Sequence, residues 1–143
     1  MRVITVNRGE EVLETIQATV TATGTVAAAI TLIGAVQHAD VSVMRRDDAQ
    51  TDLLRTYDQP FELSGTGEVV DGRVHVHVTL AGEGLIVAGH LHRAVVGDFF
   101  VRVYLTPVPD QPAGVSARPA PTRPGRRPST GGITLPAEAP NTA

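Results

Sequence analysis

The chain predicts an α+β fold, a mainly antiparallel β-sheet flanked by one or two helices. Three observations carry that expectation: one helical stretch near the N-terminus, an unbroken succession of strand-like segments after it, and a change of composition near Thr106. Strands that follow one another without intervening helices pair antiparallel through short connections.

Residues 2–6 read as a short strand. Residues 10–23 predict a helix, because Val12, Leu13, Ile16 and Val20 recur at helical spacing. Glu10, Glu11 and Glu14 suit its positive N-terminal end, and Gly24 supplies a C-terminal stop. The apolar run Ala27–Ile33 fits either type of element. Beyond Gly34-Ala35, Val36–Met44 reads as a strand and Arg45–Gln50 as a charged turn. Five strand-like segments follow: Thr51–Tyr57, Phe61–Val70, Arg73–Leu80, Leu85–His92 and Val95–Leu105. Pro60, Asp71-Gly72, Gly82-Glu83-Gly84 and Arg93-Ala94 separate them, and Asp71-Gly72 is a strong hairpin signal.

At 143 residues the chain suffices for one domain with a real core. Residues 1–106 are expected to form it. Residues 107–143 hold nine of the ten prolines and cannot bury enough apolar surface to offset ordering entropy, so a disordered Pro/Arg-rich C-terminal tail is expected there. No apolar run approaches the roughly 20 residues of a spanning helix, and the N-terminus turns polar at Asn7, which points to a cytoplasmic protein with no membrane partner. The absence of cysteine removes disulfides, thiolate ligands and cysteine nucleophiles together. All twelve basic residues are arginine, a bias that fits GC-rich bacterial coding. Residues 1–106 carry eight Arg against thirteen acids, whereas 107–143 carry four Arg against two. Charge-based contact with nucleic acid would therefore fall to the tail.

Val74-His75-Val76-His77-Val78 alternates strictly, so His75 and His77 share one strand face and the valines the other. If Leu80 stands opposite Leu85, His75 faces His90 and His77 faces Ala88. One face of the hairpin then gathers His75, His77, His90 and His92 while the other is apolar. A one-residue slip would put His90 and His92 on the apolar face. Gathered imidazoles suit Zn²⁺ or a similar divalent ion, and three would leave a position for water, an anion or substrate. The competing reading is a polar strand face that binds nothing. His38 stands apart on another strand. Glu83 lies in a turn, and no second Pro-x-Gly…His motif follows, which argues against a cupin metal site. Glu62 is the remaining candidate, as a general base or as an outward strand residue.

The strand Met1–Gly9 followed by Glu10 and a helix, Ile33-Gly34-Ala35, Phe61-Glu62-Leu63-Ser64-Gly65, Val74–Leu80 with its His-x-His, and Gly89-His90-Leu91 together resemble the PPC domain, named for plant and prokaryote conservation. The resemblance covers about residues 1–106. It implies a mainly antiparallel sheet flanked by helices, a homotrimer, and a metal site at His75, His77 and His90. Ala88 stands where a second glycine is usual, and His92 is an addition to the pattern. In plants the domain accompanies AT-hooks with an Arg-Gly-Arg-Pro core. The tail segment Arg123-Pro124-Gly125-Arg126-Arg127-Pro128 scrambles that core, leaving Arg123, Arg126 and Arg127 as candidates for contact with AT-rich DNA. The implied function is a DNA-associated binding or regulatory module. The alternative is a metal-dependent enzyme or small-molecule sensor using the three histidines.

Overall fold

The computed structural model describes residues 1–109. Among them are six strands and one helix: β1 (Arg2–Val6), α1 (Val12–Thr23), β2 (Ala28–Met44), β3 (Asp52–Val70), β4 (Arg73–Gly82), β5 (Leu85–Val95) and β6 (Val101–Pro107). The strand order is β1-β6-β2-β3-β4-β5, all antiparallel, with a further pairing of β5 to β2.

That extra pairing shapes the molecule. β2 lies against β3 along nearly its whole length. Its other edge meets β6 over Ala28–Gly34 and β5 over His38–Ser42. Strands β2, β3, β4 and β5 therefore close on themselves as a small barrel, and closure removes the exposed edges that an open sheet would carry. Val76, Val78 and Leu80 of β4 and Leu91 of β5 point inward and are buried. Helix α1 packs beside β4 and β5 through Val12, Ile16 and Val20. Glu11 caps it by accepting the Glu14 N–H at 2.6 Å, and its second oxygen accepts the Ala94 N–H at 2.7 Å, so one side chain ties helix to barrel. Gly24 closes the helix at φ 62°. Gln17 holds the β3–β4 hairpin, donating to the Gly72 carbonyl at 2.8 Å and accepting from the Val74 N–H at 3.1 Å.

Three expected strand breaks are absent. Of the run Ala27–Ile33, residues 28–33 are strand, and β2 continues through Gly34-Ala35. β3 continues through Pro60 because a bulge sits there: Val36 pairs with Phe61 and His38 with Asp58, so Gln59 and Pro60 oppose Gln37 alone. A bulge leaves a residue unpaired, which is where a proline without an N–H fits a strand. β5 likewise continues through Arg93-Ala94, because a second bulge interrupts its alternation without ending it. The true crossing to β6 lies at Val96–Phe100. β6 ends at Pro107, and the Val108 N–H donates to the Ala27 carbonyl at 3.1 Å. The rest of the expected tail, with Arg123, Arg126 and Arg127, lies outside the described residues.

Asp71 and Gly72 both adopt positive φ in the two-residue β3–β4 turn. The β4–β5 register differs from expectation. Gly82 rather than Leu80 is the last paired residue before the turn, opposite Leu85. Only Glu83 and Gly84 form the turn, with Gly84 at φ 70°. Leu80 consequently faces Val87, and His77 faces His90 instead of Ala88. The offset is two residues, and because side chains alternate with a period of two, every residue keeps its face.

Candidate metal centre

β4 presents His75 and His77 outward because Val74, Val76 and Val78 turn to the interior. β5 presents His90 beside them, directly across from His77. Placing that strand requires Gly89: a Cβ there would overlap the Ser42 carbonyl of β2, so glycine lets β5 lie close against β2. Ring centroids stand 5.0 Å apart for His75–His77, 4.7 Å for His75–His90 and 5.5 Å for His77–His90. One nitrogen from each ring lies within 4.8 Å of the other two.

That donor set fits a divalent ion. Imidazoles at about 2.0–2.1 Å from a tetrahedral metal bring their nitrogens to roughly 3.4 Å from one another. His75 and His77 are exposed and His90 half-buried, so rotation about their side-chain bonds is the movement available for closing the remaining gap. Burial pushes the His90 imidazole below the ordinary histidine range, and its neighbours His92, His75 and His77 act in the same direction by charge repulsion. Metals bind the neutral ring, so the crowding that disfavours a proton favours a metal. Glu68, opposite His75 on β3, brings a carboxylate oxygen to 3.8 Å from the His75 Nδ1, beyond hydrogen-bond distance but close enough to act on the ring through its charge.

His92 stands beside the group and outside it. Its ring centroid is 4.6 Å from that of His90, but its Nε2 lies 2.8 Å from the hydroxyl of Ser42. Ser42 is the one buried polar residue among the described residues. Glu62 is exposed on β3, four positions from Thr66, the residue opposite His77. At about 3.3 Å per residue that is roughly 13 Å along the strand. Glu62 lines a different feature, a cleft of about 510 Å³ beside the β3 bulge, together with Gln37, Phe61, Glu83 and Phe99. His38 belongs to a polar network with Asp58, Asp40 and Arg93. Glu68 and Ser42 escaped the sequence reading. The Asp71-Gly72 turn could have placed Glu68, since a two-residue loop sets position 68 against 75. Ser42 had no such signal, being fifty residues from its partner.

A closed small barrel with one packed helix and three outward imidazoles on a hairpin defines an α+β domain built to present a histidine group. The chain belongs to the Plants and Prokaryotes Conserved (PCC) domain family, whose model matches residues 1–109. A metal-containing protein from Archaeoglobus fulgidus has 25% identity and a TM-score of 0.67, over 74% of this chain and 77% of that one. A proposed DNA-binding protein from Ralstonia eutropha has 21% identity and a TM-score of 0.65, over 75% and 77%. A plant- and prokaryote-conserved (PPC) protein from Pyrococcus horikoshii has 20% identity and a TM-score of 0.63, over 77% and 80%. Among curated proteins, no sequence matches this chain. No helix among the described residues is long and apolar enough to cross a membrane.

Proposed function

We propose that this protein is a homotrimeric, DNA-associated binding or regulatory module that carries a divalent metal, Zn²⁺ or a similar ion, on His75, His77 and His90. The convergence of three imidazole nitrogens within 4.8 Å carries the metal part of this reading. The metal-containing relative from Archaeoglobus supports it, and the proposed DNA-binding relative from Ralstonia supports the nucleic-acid part. Exposed apolar side chains favour self-association: Ile33, Leu54, Met44 and Ile86 lie on the outside of the barrel, Ile86 at 75% exposure. Because residues 1–106 are net acidic, contact with phosphate falls to residues 107–143, with Arg123, Arg126 and Arg127 as the candidates. Three such segments on one trimer would gain avidity from weak individual contacts.

The test is a mobility shift of an AT-rich duplex across a salt series, with the full chain and with a chain ending at Pro109, beyond the last strand, alongside the metal content of untagged protein. A salt-dependent shift lost on truncation, with one metal per chain, supports the reading. No shift at any salt concentration overturns the DNA part, and metal-free protein that takes up no added ion overturns the metal part.

The open geometry of three histidine ligands favours a second reading, a metal-dependent enzyme or small-molecule sensor. A divalent ion held by three protein ligands supplies Lewis acidity at its remaining position. In that reading His75, His77 and His90 hold the ion, Glu68 places a negative charge beside His75, and the distance along β3 argues against Glu62 as the base.

A further inference from the structure

His92 poses a specific chemical question. By ring distance it is as close to the group as the group's own members, at 4.6 Å from His90 against 4.7 Å for His75–His90. Its outward position is also deliberate. Asp40 pairs with Arg93 and Val41 with Leu91, so His92 is the extra residue of the β5 bulge. The bulge turns His92 and Arg93 both outward, between buried Leu91 and Ala94, and re-aiming side chains is what bulges do beside functional sites. His92 is not among the three rings whose nitrogens lie within 4.8 Å of one another, and it is the one of the four with a recorded side-chain hydrogen bond. Its Nε2 is engaged by the Ser42 hydroxyl at 2.8 Å. Ser42 is itself fixed: it is 2% exposed, it pairs with His90 across the β2–β5 ladder, and its carbonyl packs against Gly89.

We propose that Ser42 sets the coordination number of the centre: it holds His92 in reserve, which leaves three imidazoles and one position for an exchangeable small anion or water, and loss of its hydroxyl lets His92 close the site. This rests on the metal reading above and goes beyond it, because it assigns Ser42 and His92 opposite effects on access. Ser42 meets His90 only through the backbone ladder, and its hydroxyl bonds His92, so it is a positioning residue that acts through His92. A closed four-imidazole site is structural in character, whereas an open three-imidazole site admits ligands.

The experiment uses the full chain with nitrogen-labelled histidine, loaded with an NMR-active cadmium isotope, and counts the imidazoles that show metal–nitrogen coupling. Three are expected in the wild type, without His92, and four in Ser42→Ala. In parallel, azide added to the cobalt-loaded wild type is expected to change its visible spectrum, and this response is expected to be lost in Ser42→Ala. The double variant Ser42→Ala/His92→Ala is expected to regain it. Ser42→Gly replaces the alanine variant if that chain does not fold. Coupling to His92 in the wild type overturns the proposal, as does a Ser42 variant with three coupled imidazoles and an intact azide response. A wild type that binds no cadmium or cobalt at all refutes the metal reading itself, a result distinct from either of those.

Discussion

His38 and His77 stand on the same small barrel, and what the register sets opposite each decides its chemistry. Opposite His38 is Asp58; opposite His77 is His90. The His38 Nδ1 lies 2.5 Å from the Asp58 carboxylate, while its Nε2 is 3.5 Å from Asp40 and 3.4 Å from Arg93. Both ring nitrogens of His38 are therefore committed. Asp40 is held in its charged form below the usual carboxylate range, chiefly by the Thr56 hydroxyl against the opposing effect of burial, with His38 adding to it. The other group has no such partners: His75, His77 and His90 face each other, and Glu68 at 3.8 Å from His75 is the one carboxylate recorded within ion-pair reach of them among the described residues. His38, bonded to the acid across from it, has no ring nitrogen left for a metal, whereas His75 stays 3.8 Å from the acid across from it. A histidine that meets other histidines keeps its lone pairs for a metal.

The sharpest test of this contrast is His77→Ala beside His38→Ala. Removing His77 takes away a direct donor, and even outer partners of metal ligands are worth about 10–100-fold in affinity, so a loss beyond roughly 100-fold is expected. His38→Ala is expected to bind metal as the wild type does. Titration with zinc against a fluorescent chelator measures both, and equal losses in the two variants would erase the distinction. Next in size is Glu68→Gln, which keeps the side chain's shape and removes its charge. About a tenfold weakening of metal binding with little change in melting temperature is expected. Unchanged affinity would make Glu68 an ordinary surface acid.

A smaller effect is expected from pH on the metal-free protein, kept in chelator. His90 has a folded pKa below its unfolded value of about 6.5, so the unfolded chain binds more protons between the two. Its contribution therefore lowers stability as pH falls through the unfolded value toward the folded one. Melting curves from neutral pH down to mildly acidic pH should show a shallower decline in His90→Gln than in the wild type. Parallel declines would mean that burial and repulsion by the neighbouring imidazoles do not act on His90 as the geometry implies.

Legibility in the sequence follows the range of the interactions. The outward histidines of β4 were readable because Val74, Val76 and Val78 mark the inner face at a period of two, a strictly local signal. The same parity kept His90 and His92 on the right face even though the hairpin register was off by two. Pro60 and Arg93-Ala94 misled because a bulge interrupts alternation just as a turn does; what distinguishes them is pairing with a distant strand, β2 in both cases. Barrel closure through β2 and β5 had no local trace. With it went the position of Ser42, which only that pairing brings to His90 and His92.

The smallest effect expected is on the other side of the comparison, from Asp58→Asn. The Asp58 side chain is 76% exposed, so water screens its charge and competes for its hydrogen bonds even at a separation of 2.5 Å from His38. Exposed side-chain contacts of this kind, charged or not, are worth about 0–1 kcal/mol. Asp40 and Arg93 remain around the opposite edge of the ring and keep it in place. Urea unfolding of Asp58→Asn should accordingly show a loss below about 1 kcal/mol, with metal stoichiometry unchanged. The second half of that expectation is the more searching one. Arg93 adjoins His92 in the β5 bulge, and Asp40 lies two residues from Ser42 on β2, so a disturbance at His38 has two short routes to the imidazole group. A fall in metal affinity on Asp58→Asn would show that the two histidine sites are coupled. An unchanged affinity would leave each site governed by its own cross-strand partner.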